Sequence, residues 1–168
     1  EYLQAPDGPV KMLNKLFQSC DQSPVGLVRI AVNFDQVLEA EVLANELKQL
    51  GYQVGLNMMQ SHGKEEKQYK KMVKKITKWG TVDVLYFADS LGNMKPSHIK
   101  YICEIILTEW QGPLGIHTHN NKNLALINSL TSLEHGVTWC DATVTGMGRG
   151  AGNVATEALL METEYLGL

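Results

Sequence analysis

Apolar and polar positions follow one another along this chain in a regular succession of strand-like and helix-like segments. Five short apolar runs, rich in β-branched residues, begin about 25 to 30 residues apart. Near-continuous runs of this kind are typical of parallel strands that are covered on both faces. The runs are Gly26–Phe34, Tyr52–Met59, Val82–Ser90, Gly112–His119 and Val137–Gly146. Their spacing leaves room for one helix after each strand and predicts a series of βα units.

The segments between these runs have helical periodicity. In Lys64–Trp79 four apolar side chains recur at helical spacing, namely Tyr69, Met72, Val73 and Ile76. The seven lysines of this segment lie on its other face, which favours a solvated outer surface over a basic binding patch. Helices are also predicted at Val10–Cys20 and Val154–Leu166. Four glycines between a helix and the next strand are predicted to adopt the left-handed C′ conformation: Gly51, Gly80, Gly112 and Gly136.

Two α/β architectures accept a helix followed by five βα units: an open doubly wound sheet, or part of a (β/α)8 barrel, which usually needs about 250 residues. Polar side chains gather at the carboxyl end of nearly every predicted strand: Asn33, Asp35, Asn57, Ser61, Asp89, Ser90, His117, His119, Asn120 and Thr145. An open sheet concentrates its site at one switch point, whereas a barrel uses many strand ends. We therefore predict an α/β fold of the (β/α)8 TIM-barrel type, here a partial barrel of about five βα units, with residues 1–168 as a single domain.

Composition supports a globular domain and argues against several classes of partner. The chain has 168 residues, of which 44% are hydrophobic, enough to bury a core. A formal net charge of −3 gives no reason to expect a nucleic acid or an anionic membrane as partner. No apolar run is long enough to span a bilayer, and no signal-peptide pattern is present. We expect a cytoplasmic protein with reduced Cys20, Cys103 and Cys140, and the start at Glu1 without Met leads us to expect a processed chain or a fragment.

The stretch GIHTHNN, Gly115 to Asn121, carries the clearest candidate chemistry. Side chains alternate along a strand, so His117 and His119 project to the same face. Near the end of a barrel strand that face is the interior, where two neutral imidazoles can share one metal ion. Spacing alone leaves open the alternative that both histidines are satisfied by hydrogen bonds in the core.

A second candidate is the glycine-rich stretch GMGRGAGN, Gly146 to Asn153. It nearly matches a dinucleotide fingerprint, but that motif needs a following strand with an acidic residue, and a helix follows here. The glycines instead let backbone N–H groups approach an anion at the start of a helix near Val154. A third stretch, FADSLGNMKP, ends a strand at Asp89 and Ser90, and its polar residues are also explained by helix capping.

Together these stretches resemble the metal-dependent pyruvate aldolases and their HMG-CoA-lyase-like relatives among the TIM barrels. The resemblance covers roughly Val28 to Glu157 and is strongest in ADSLGNM, in GIHTHNNKNLALINSLTSLEHG and in CDATVTGMGRGAGNVATE. Within this superfamily the motifs are most similar to those of the 4-hydroxy-2-oxovalerate aldolases, which carry an A-D-S-x-G, an HxH and a G-M-G-x-G-A-G-N loop. The units present here resemble the fourth to the eighth of such a barrel.

The resemblance implies roles for individual residues. His117 and His119 match metal ligands, and Asn153 matches an asparagine that ligates the metal in the lyase members. The implied cofactor is a divalent metal, with Mn²⁺ or Mg²⁺ favoured over Zn²⁺. Ser90 matches the residue that holds the pyruvate carboxylate. The positions implied to bind substrate are Ser90, Asp89, Gly148 and Gly150.

The implied reaction is that of a divalent-metal-dependent aldolase, which cleaves or forms a C–C bond of a 4-hydroxy-2-oxo acid through a pyruvate enolate. The metal would act as a Lewis acid on the carboxylate and keto oxygens of the substrate. Asn128 and Asp141 match supporting polar positions, and no general base stands out. The implied partner is a small-molecule 2-oxo acid, and association into a homo-oligomer is left open. The alternatives are a Claisen-type 2-oxo-acid synthase or an acyl-CoA lyase of the same superfamily, and a non-catalytic flavodoxin-like module.

Several departures from the family pattern qualify this expectation. The stretch Met147 to Asn153 lacks the cysteine that the acyl-CoA lyases place there, and Arg149 is not part of the synthases' Glu-Arg pair. Asn33 stands where the aldolases have a histidine. The family's Arg-Asp-Gly, whose aspartate is a third metal ligand, is absent from the sequence. We therefore expect the chain alone to bind metal weakly and to be inactive, unless a second copy or another chain supplies the missing units.

Overall fold

Strands and helices alternate along the chain after the first helix. A computed structural model describes residues 6–167. The helices are α1 (Pro9–Leu16), α2 (Glu41–Gln49), α3 (Glu66–Trp79), α4 (Pro96–Leu107), α5 (Ala125–Glu134) and α6 (Thr156–Leu166). The strands are β1 (Leu27–Asn33), β2 (Gln53–Met59), β3 (Val84–Asp89), β4 (Leu114–Thr118) and β5 (Trp139–Asp141). Short 3₁₀ segments lie at Cys20–Gln22, Phe34–Ala40 and Val144–Gly146. This alternation confirms the predicted series of βα units.

The five strands form one parallel sheet in which spatial order equals chain order, β1-β2-β3-β4-β5. The register places one residue from each strand side by side across the sheet: Ala31, Asn57, Tyr86, Gly115 and Trp139. A doubly wound sheet reverses its strand order at a switch point, and this sheet does not. The order therefore confirms the barrel-type architecture and excludes the flavodoxin-like alternative.

The helices form a single layer on one face of the sheet. Each helix contacts the next along the chain, from α1 to α6. The main core joins strand residues such as Ile30, Leu56 and Phe87 to helix residues such as Leu47 and Ile99. A smaller cluster beneath α5 and α6 contains Ala125, Leu130, Val154 and Leu159. Within residues 6–167 no helix combines the length and the apolar character needed to cross a membrane.

The lysine-rich helix α3 packs as its pattern indicates. Tyr69, Val73 and Ile76 are buried against the sheet side. Most of the lysines of this segment lie on the opposite, exposed side. Lys70 forms a surface ion pair with Glu66 one turn earlier, at 2.6 Å. The lysines therefore form the solvated outer surface of the helix layer.

The sheet is curved, and its face away from the helices carries several polar side chains. Arg29 on β1 forms an ion pair with Asp141 on β5, although a flat sheet would hold these two strands roughly 19 Å apart. One arginine and one aspartate side chain cannot span that distance, so the sheet bends as in a barrel. We call this concave side the inner face. It carries Arg29, Asn57, Tyr86, His117 and Asp141.

Two of the predicted elements extend beyond the ends that the structure shows. Helix α1 ends at Leu16 rather than Cys20, because Phe17 adopts an extended backbone with φ −113° and ψ 127°. The last predicted strand, Val137–Gly146, forms a ladder only over Trp139–Asp141, since the chain then turns into the 3₁₀ segment Val144–Gly146. The polar residues at that end therefore belong to a loop.

The predicted left-handed glycines are confirmed at three positions and wrong at one. Gly51, Gly80 and Gly136 have positive φ values. Gly112 does not have a positive φ. Helix α4 is capped by Thr108, so Gly112 lies too far beyond the helix to occupy the C′ position. A Cβ atom at Gly112 would lie 2.8 Å from the Trp110 ring, so the glycine leaves room for that indole.

Candidate metal centre

His117 and His119 lie side by side at the carboxyl end of β4. Their ring centroids are 4.9 Å apart and the rings are nearly perpendicular, at 87°. Thr118 between them is buried on the helix side, where its hydroxyl meets that of Ser129 at 3.0 Å. Both imidazoles therefore project to the inner face, where each is partly exposed. The strand alternation predicted this shared direction.

The glycine loop brings Asn153 next to His119. The two residues form an isolated antiparallel bridge, and the N–H of Asn120 donates to the carbonyl of Gly152 at 2.9 Å. The side-chain amide of Asn153 donates to the carbonyl of Met147 at 3.0 Å. Its other atom, Oδ1, is buried and has no hydrogen-bond partner among the described residues. Buried polar atoms are rarely left unpaired, so this oxygen is suited to a ligand that the chain itself does not supply.

The glycines predicted to bind substrate shape this loop. A Cβ atom at Gly148 would lie 2.6 Å from the amide nitrogen of Asn153, so Gly148 makes room for that side chain. Gly150 has φ +62°, in the left-handed region that glycine adopts without strain. Both residues are exposed. Their contact with a substrate stays a prediction.

Asp141 on β5 orients His117. Its Oδ2 atom lies 2.8 Å from Nδ1 of His117 and also accepts a hydrogen bond from Arg29. A carboxylate on Nδ1 favours the tautomer in which Nδ1 carries the proton and Nε2 keeps its lone pair for a metal. Burial by itself raises the pKa of the Asp141 carboxyl, but the hydrogen bonds from His117 and Arg29 outweigh it, so the net pKa is lowered. Asp141 is therefore a charged hydrogen-bond acceptor at neutral pH.

Ser90 follows the last residue of β3, level with His119. The register pairs Ala88 with His117, so Ser90 comes opposite His119. Its hydroxyl oxygen accepts a hydrogen bond from the N–H of Gln60 at 2.9 Å, which leaves the hydroxyl proton free to donate. This position suits the carboxylate-binding role that the resemblance implies for Ser90.

Asp89 and Asn128 are placed differently from Ser90. Asp89 is 1% exposed, and its carboxylate accepts hydrogen bonds from the N–H groups of Asn93 and Met94 at 3.0 and 3.1 Å. Asn128 on α5 is buried and donates to the carbonyl of Met94 at 3.0 Å. Both side chains therefore hold the loop between β3 and α4. The carboxylate of Asp89 is buried and bonded to that loop, so it supports the site without being exposed to a substrate.

The residues present fit a divalent metal in part. Two imidazole nitrogens and one unpaired amide oxygen are donors that Mn²⁺ or Mg²⁺ accepts, although Mg²⁺ prefers oxygen. Among residues 6–167 no group of three His, Cys, Asp or Glu side chains is placed to hold a metal ion. The carboxylate ligand that the family resemblance calls for is therefore not provided within this part of the chain.

Sequence reasoning did not single out Arg29. It lies in an apolar run, and one charged residue in a strand ordinarily indicates an exposed edge position. Its partner Asp141 is 112 residues away along the chain. Only the curvature of the sheet brings the two side chains together, so no local signal in the sequence could have identified the pair.

The sheet order, the single helix layer and the strand-end histidines define a partial barrel of the TIM type. A family model described as HMGL-like matches residues 28–168, and the chain belongs to that family. The chain is 32% identical over 147 residues to a 4-hydroxy-2-oxovalerate aldolase of Brevibacillus brevis, covering 86% of this chain and 42% of that relative. It is 33% identical over 141 residues to the enzyme of that name from Carboxydothermus hydrogenoformans, covering 84% and 42%.

Solved structures share the fold. An N-terminal domain from Bacteroides vulgatus that carries an aldolase name is 32% identical, with a TM-score of 0.74, covering 92% of this chain and 54% of that one. The HMG-CoA lyase of Bacillus subtilis has a TM-score of 0.77 at 16% identity, covering 86% and 57%, which supports the fold alone. The chain spans about two fifths of the length of the curated relatives named above.

Proposed function

We propose that this chain supplies the metal-binding half of a divalent-metal-dependent aldolase active site, the half built from units four to eight of the barrel. The reaction would be cleavage or formation of a C–C bond in a 4-hydroxy-2-oxo acid. The observation that carries the proposal is the pair of histidines on the inner face, His117 and His119, beside the unpaired amide oxygen of Asn153. The identity to proteins named 4-hydroxy-2-oxovalerate aldolase supports the choice of substrate class.

Each of these residues would have a separate role in the reaction, set by its position. His117 and His119 would hold the metal through ring nitrogens, and Asn153 through its Oδ1 atom. A divalent cation bound there would polarise the keto and carboxylate oxygens of a 2-oxo acid and stabilise the negative charge that develops as the C–C bond breaks. The hydroxyl of Ser90 would donate a hydrogen bond to the substrate carboxylate and fix its orientation. The glycine loop, Gly146–Asn153, would keep side chains away from the bound acid.

The aldolase assignment is preferred over the acyl-CoA lyases and synthases of the same superfamily. Residues 146–153 contain no cysteine, the residue that the family resemblance places in that loop for acyl-CoA lyases. They also lack the glutamate of the synthase pattern. The HMG-CoA lyase of Bacillus subtilis has half the identity to this chain that the Brevibacillus brevis aldolase has, so it supports the barrel without supporting that chemistry.

Complete activity requires a carboxylate ligand and the units that precede β1 in a full barrel. In the family that these motifs resemble, that carboxylate belongs to an Arg-Asp-Gly segment, which this sequence does not contain. We propose that another segment or another chain supplies it. Mn²⁺ is the metal we expect, and the 168-residue chain by itself should bind it weakly.

The experiment combines this chain with the N-terminal units of the Brevibacillus brevis aldolase. Mn²⁺ is titrated into the mixture while pyruvate release from 4-hydroxy-2-oxo acids of different length is followed. We expect metal-dependent pyruvate release that neither half shows alone. Replacing His117→Ala or His119→Ala should lower it by about 100-fold or more, since each variant removes a metal ligand.

The matched control is His135→Ala. His135 caps the end of α5, where its Nδ1 lies 2.9 Å from the carbonyl of Thr131. Thr138, three residues later, donates to the carbonyl of Leu114 at the start of β4, so His135 is at the opposite end of that strand from His117 and His119. This variant should keep full activity in the complemented mixture. Pyruvate release that is independent of metal, or that survives His117→Ala, would exclude the proposed centre.

A further inference from the structure

Arg29 is a charged residue on the inner face, and the proposed function gives it no role. It lies on β1, at one edge of the sheet, whereas His117 lies on β4. Its side chain is only about one third exposed. A cation held in this position must have partners that offset the cost of removing it from water.

Two strand glycines allow Arg29 to lie across the sheet. A Cβ atom at Gly55 would be 3.2 Å from Cγ of Arg29, so the arginine stem rests directly on that backbone. A Cβ atom at Gly115 would collide with the ring of Tyr86, so that ring lies flat over β4. The guanidinium carbon of Arg29 is 4.9 Å from the Tyr86 ring centroid, within range of a cation–π contact. The backbone and the tyrosine ring together direct Arg29 towards β5.

The guanidinium of Arg29 donates a hydrogen bond to the same Asp141 oxygen that contacts His117. Nη1 of Arg29 and Nδ1 of His117 both meet Oδ2 of Asp141, the second at 2.8 Å. An aspartate on a short edge strand can rotate about its side-chain bonds unless a second partner holds it. Arg29 provides that second partner, and its positive charge favours the ionised carboxylate that the His117 N–H requires.

We propose that Arg29 is a positioning residue that acts on the metal ligand His117 through Asp141. It fixes the carboxylate, the carboxylate fixes the Nδ1–H tautomer and the ring orientation, and Nε2 is then directed to the metal. This inference rests on the proposed function, because it takes His117 to be a metal ligand. It adds a residue that touches neither the metal nor the substrate.

The alternative role for Arg29 is purely structural, as an ion pair that ties the two edges of the curved sheet. The two roles differ in one measurable property of the metal-free chain, the tautomer of His117. Two-bond ¹H–¹⁵N correlation spectra of the neutral ring report it directly. We expect the Nδ1–H form in the wild-type chain and a shift towards the Nε2–H form in Arg29→Met and in Asp141→Asn.

Metal affinity provides the second readout, with Co²⁺ as a spectroscopic probe. Loss of an outer hydrogen-bond partner of a histidine ligand typically weakens metal binding by about 10- to 100-fold. We expect Asp141→Asn to fall in that range and Arg29→Met near its lower end. Because Arg29 acts through Asp141, adding Arg29→Met to Asp141→Asn should weaken Co²⁺ binding by less than about twofold more.

The matched control is Lys48→Met. Lys48 forms an ion pair with Asp83 at 2.8 Å, with both side chains about one third exposed, on the helix side of the sheet. Removing it should change unfolding stability about as much as Arg29→Met does, while leaving the His117 tautomer and Co²⁺ affinity unchanged.

Three results would overturn the inference. They are an unchanged His117 tautomer in Arg29→Met, losses of Co²⁺ affinity that add fully in the double variant, or an equal loss in Lys48→Met. If His117→Ala instead leaves Co²⁺ binding intact, the proposed metal centre fails. The tautomer measurement on the metal-free chain then still decides whether Arg29 orients His117.

Discussion

At the scale of single residues, the inner face depends on positions that have no side chain. Gly115 leaves space for the Tyr86 ring, and Gly55 for the stem of Arg29. Gly92 has φ +58°, and a Cβ atom there would be 2.6 Å from the backbone nitrogen of Asn121. That contact joins the loop after β3 to the loop after β4, so Ser90 and His119 are held beside each other.

Gly115→Ala should therefore destabilise the chain. The new methyl group would collide with the Tyr86 ring, and forced repacking of this kind typically costs about 1–3 kcal/mol. Urea unfolding followed by far-UV circular dichroism measures the change. The control is Gly26→Ala, because nothing lies within 4 Å of a Cβ atom at Gly26 and its φ is not positive. Equal stability losses in the two variants would contradict the packing explanation.

The cysteines differ in reactivity because they differ in burial. Burial raises the pKa of the Cys103 thiol to about 12, and Cys103 is fully buried in the main core. The thiolate is the nucleophile, so a raised pKa lowers its concentration at every pH below that value. In the native chain at about pH 8 we expect iodoacetamide to spare Cys103 and to modify the partly exposed Cys20 first. Peptide mass spectrometry separates the two sites, and equal labelling rates in native buffer would refute the expectation.

At the scale of secondary-structure elements, the loops after the strands carry the candidate chemistry, and buried or partly buried polar side chains hold those loops. Asp89 accepts two backbone N–H groups of the loop before α4. The side chain of Asn120 accepts the N–H of Ala125 at the start of α5, at 3.1 Å. Asn128 of α5 donates to Met94 in the neighbouring loop. The ends of β3 and β4 are thereby fixed to the helices that follow them and to each other.

Asp89→Ala should destabilise the chain and loosen the loop that contains Ser90. It leaves two N–H groups without acceptors in a dry environment, at a cost of about 1–3 kcal/mol each. Thermal and urea unfolding measure the loss. Asp35→Ala is the control, since Asp35 is 75% exposed where it pairs with Lys64, and surface pairs contribute about 0–1 kcal/mol. A loss for Asp89→Ala no larger than that for Asp35→Ala would show that the carboxylate does not organise the loop.

At the scale of the whole molecule, the curved sheet is open. Neither β1 nor β5 pairs on its outer side with another strand of residues 6–167. Ala31 and Trp139, on the inner face of these two edge strands, are exposed. In a closed barrel such edges are paired and the interior is filled by side chains. The described part of the chain therefore has the shape of about five eighths of a barrel.

Trp139 should report closure of the barrel. It is 42% exposed on β5, whereas Trp110 is 6% exposed. Adding the N-terminal units of the Brevibacillus brevis aldolase should bury Trp139, shift its fluorescence to shorter wavelength and reduce quenching by acrylamide. The dye ANS, which binds exposed apolar surface, should be released at the same time. The shift should vanish in Trp139→Phe, and a shift that persists in that variant would assign the change to another tryptophan.

The candidate site was predictable where its residues are close in sequence. His117 and His119 share a face because strand side chains alternate, whereas Asn153 was implied only by the family resemblance. Arg29 and the orienting contact of Asp141 on His117 were not predictable from spacing, since each joins different strands. For Asp89 the family resemblance implied substrate contact, whereas its burial and its two backbone hydrogen bonds make it a support for the loop. Local sequence patterns predict the direction in which a side chain points, but its contacts depend on how distant elements pack.

The sequence by itself determined the βα repeat, the buried faces of the helices and the shared direction of the two histidines, because each depends on periodicities within a single element. Tertiary structure alone decided the strand order, the curvature that joins Arg29 to Asp141, and the burial that leaves the Asn153 oxygen unpaired. These features arise from how distant elements pack, and no short stretch of sequence encodes the distance between them.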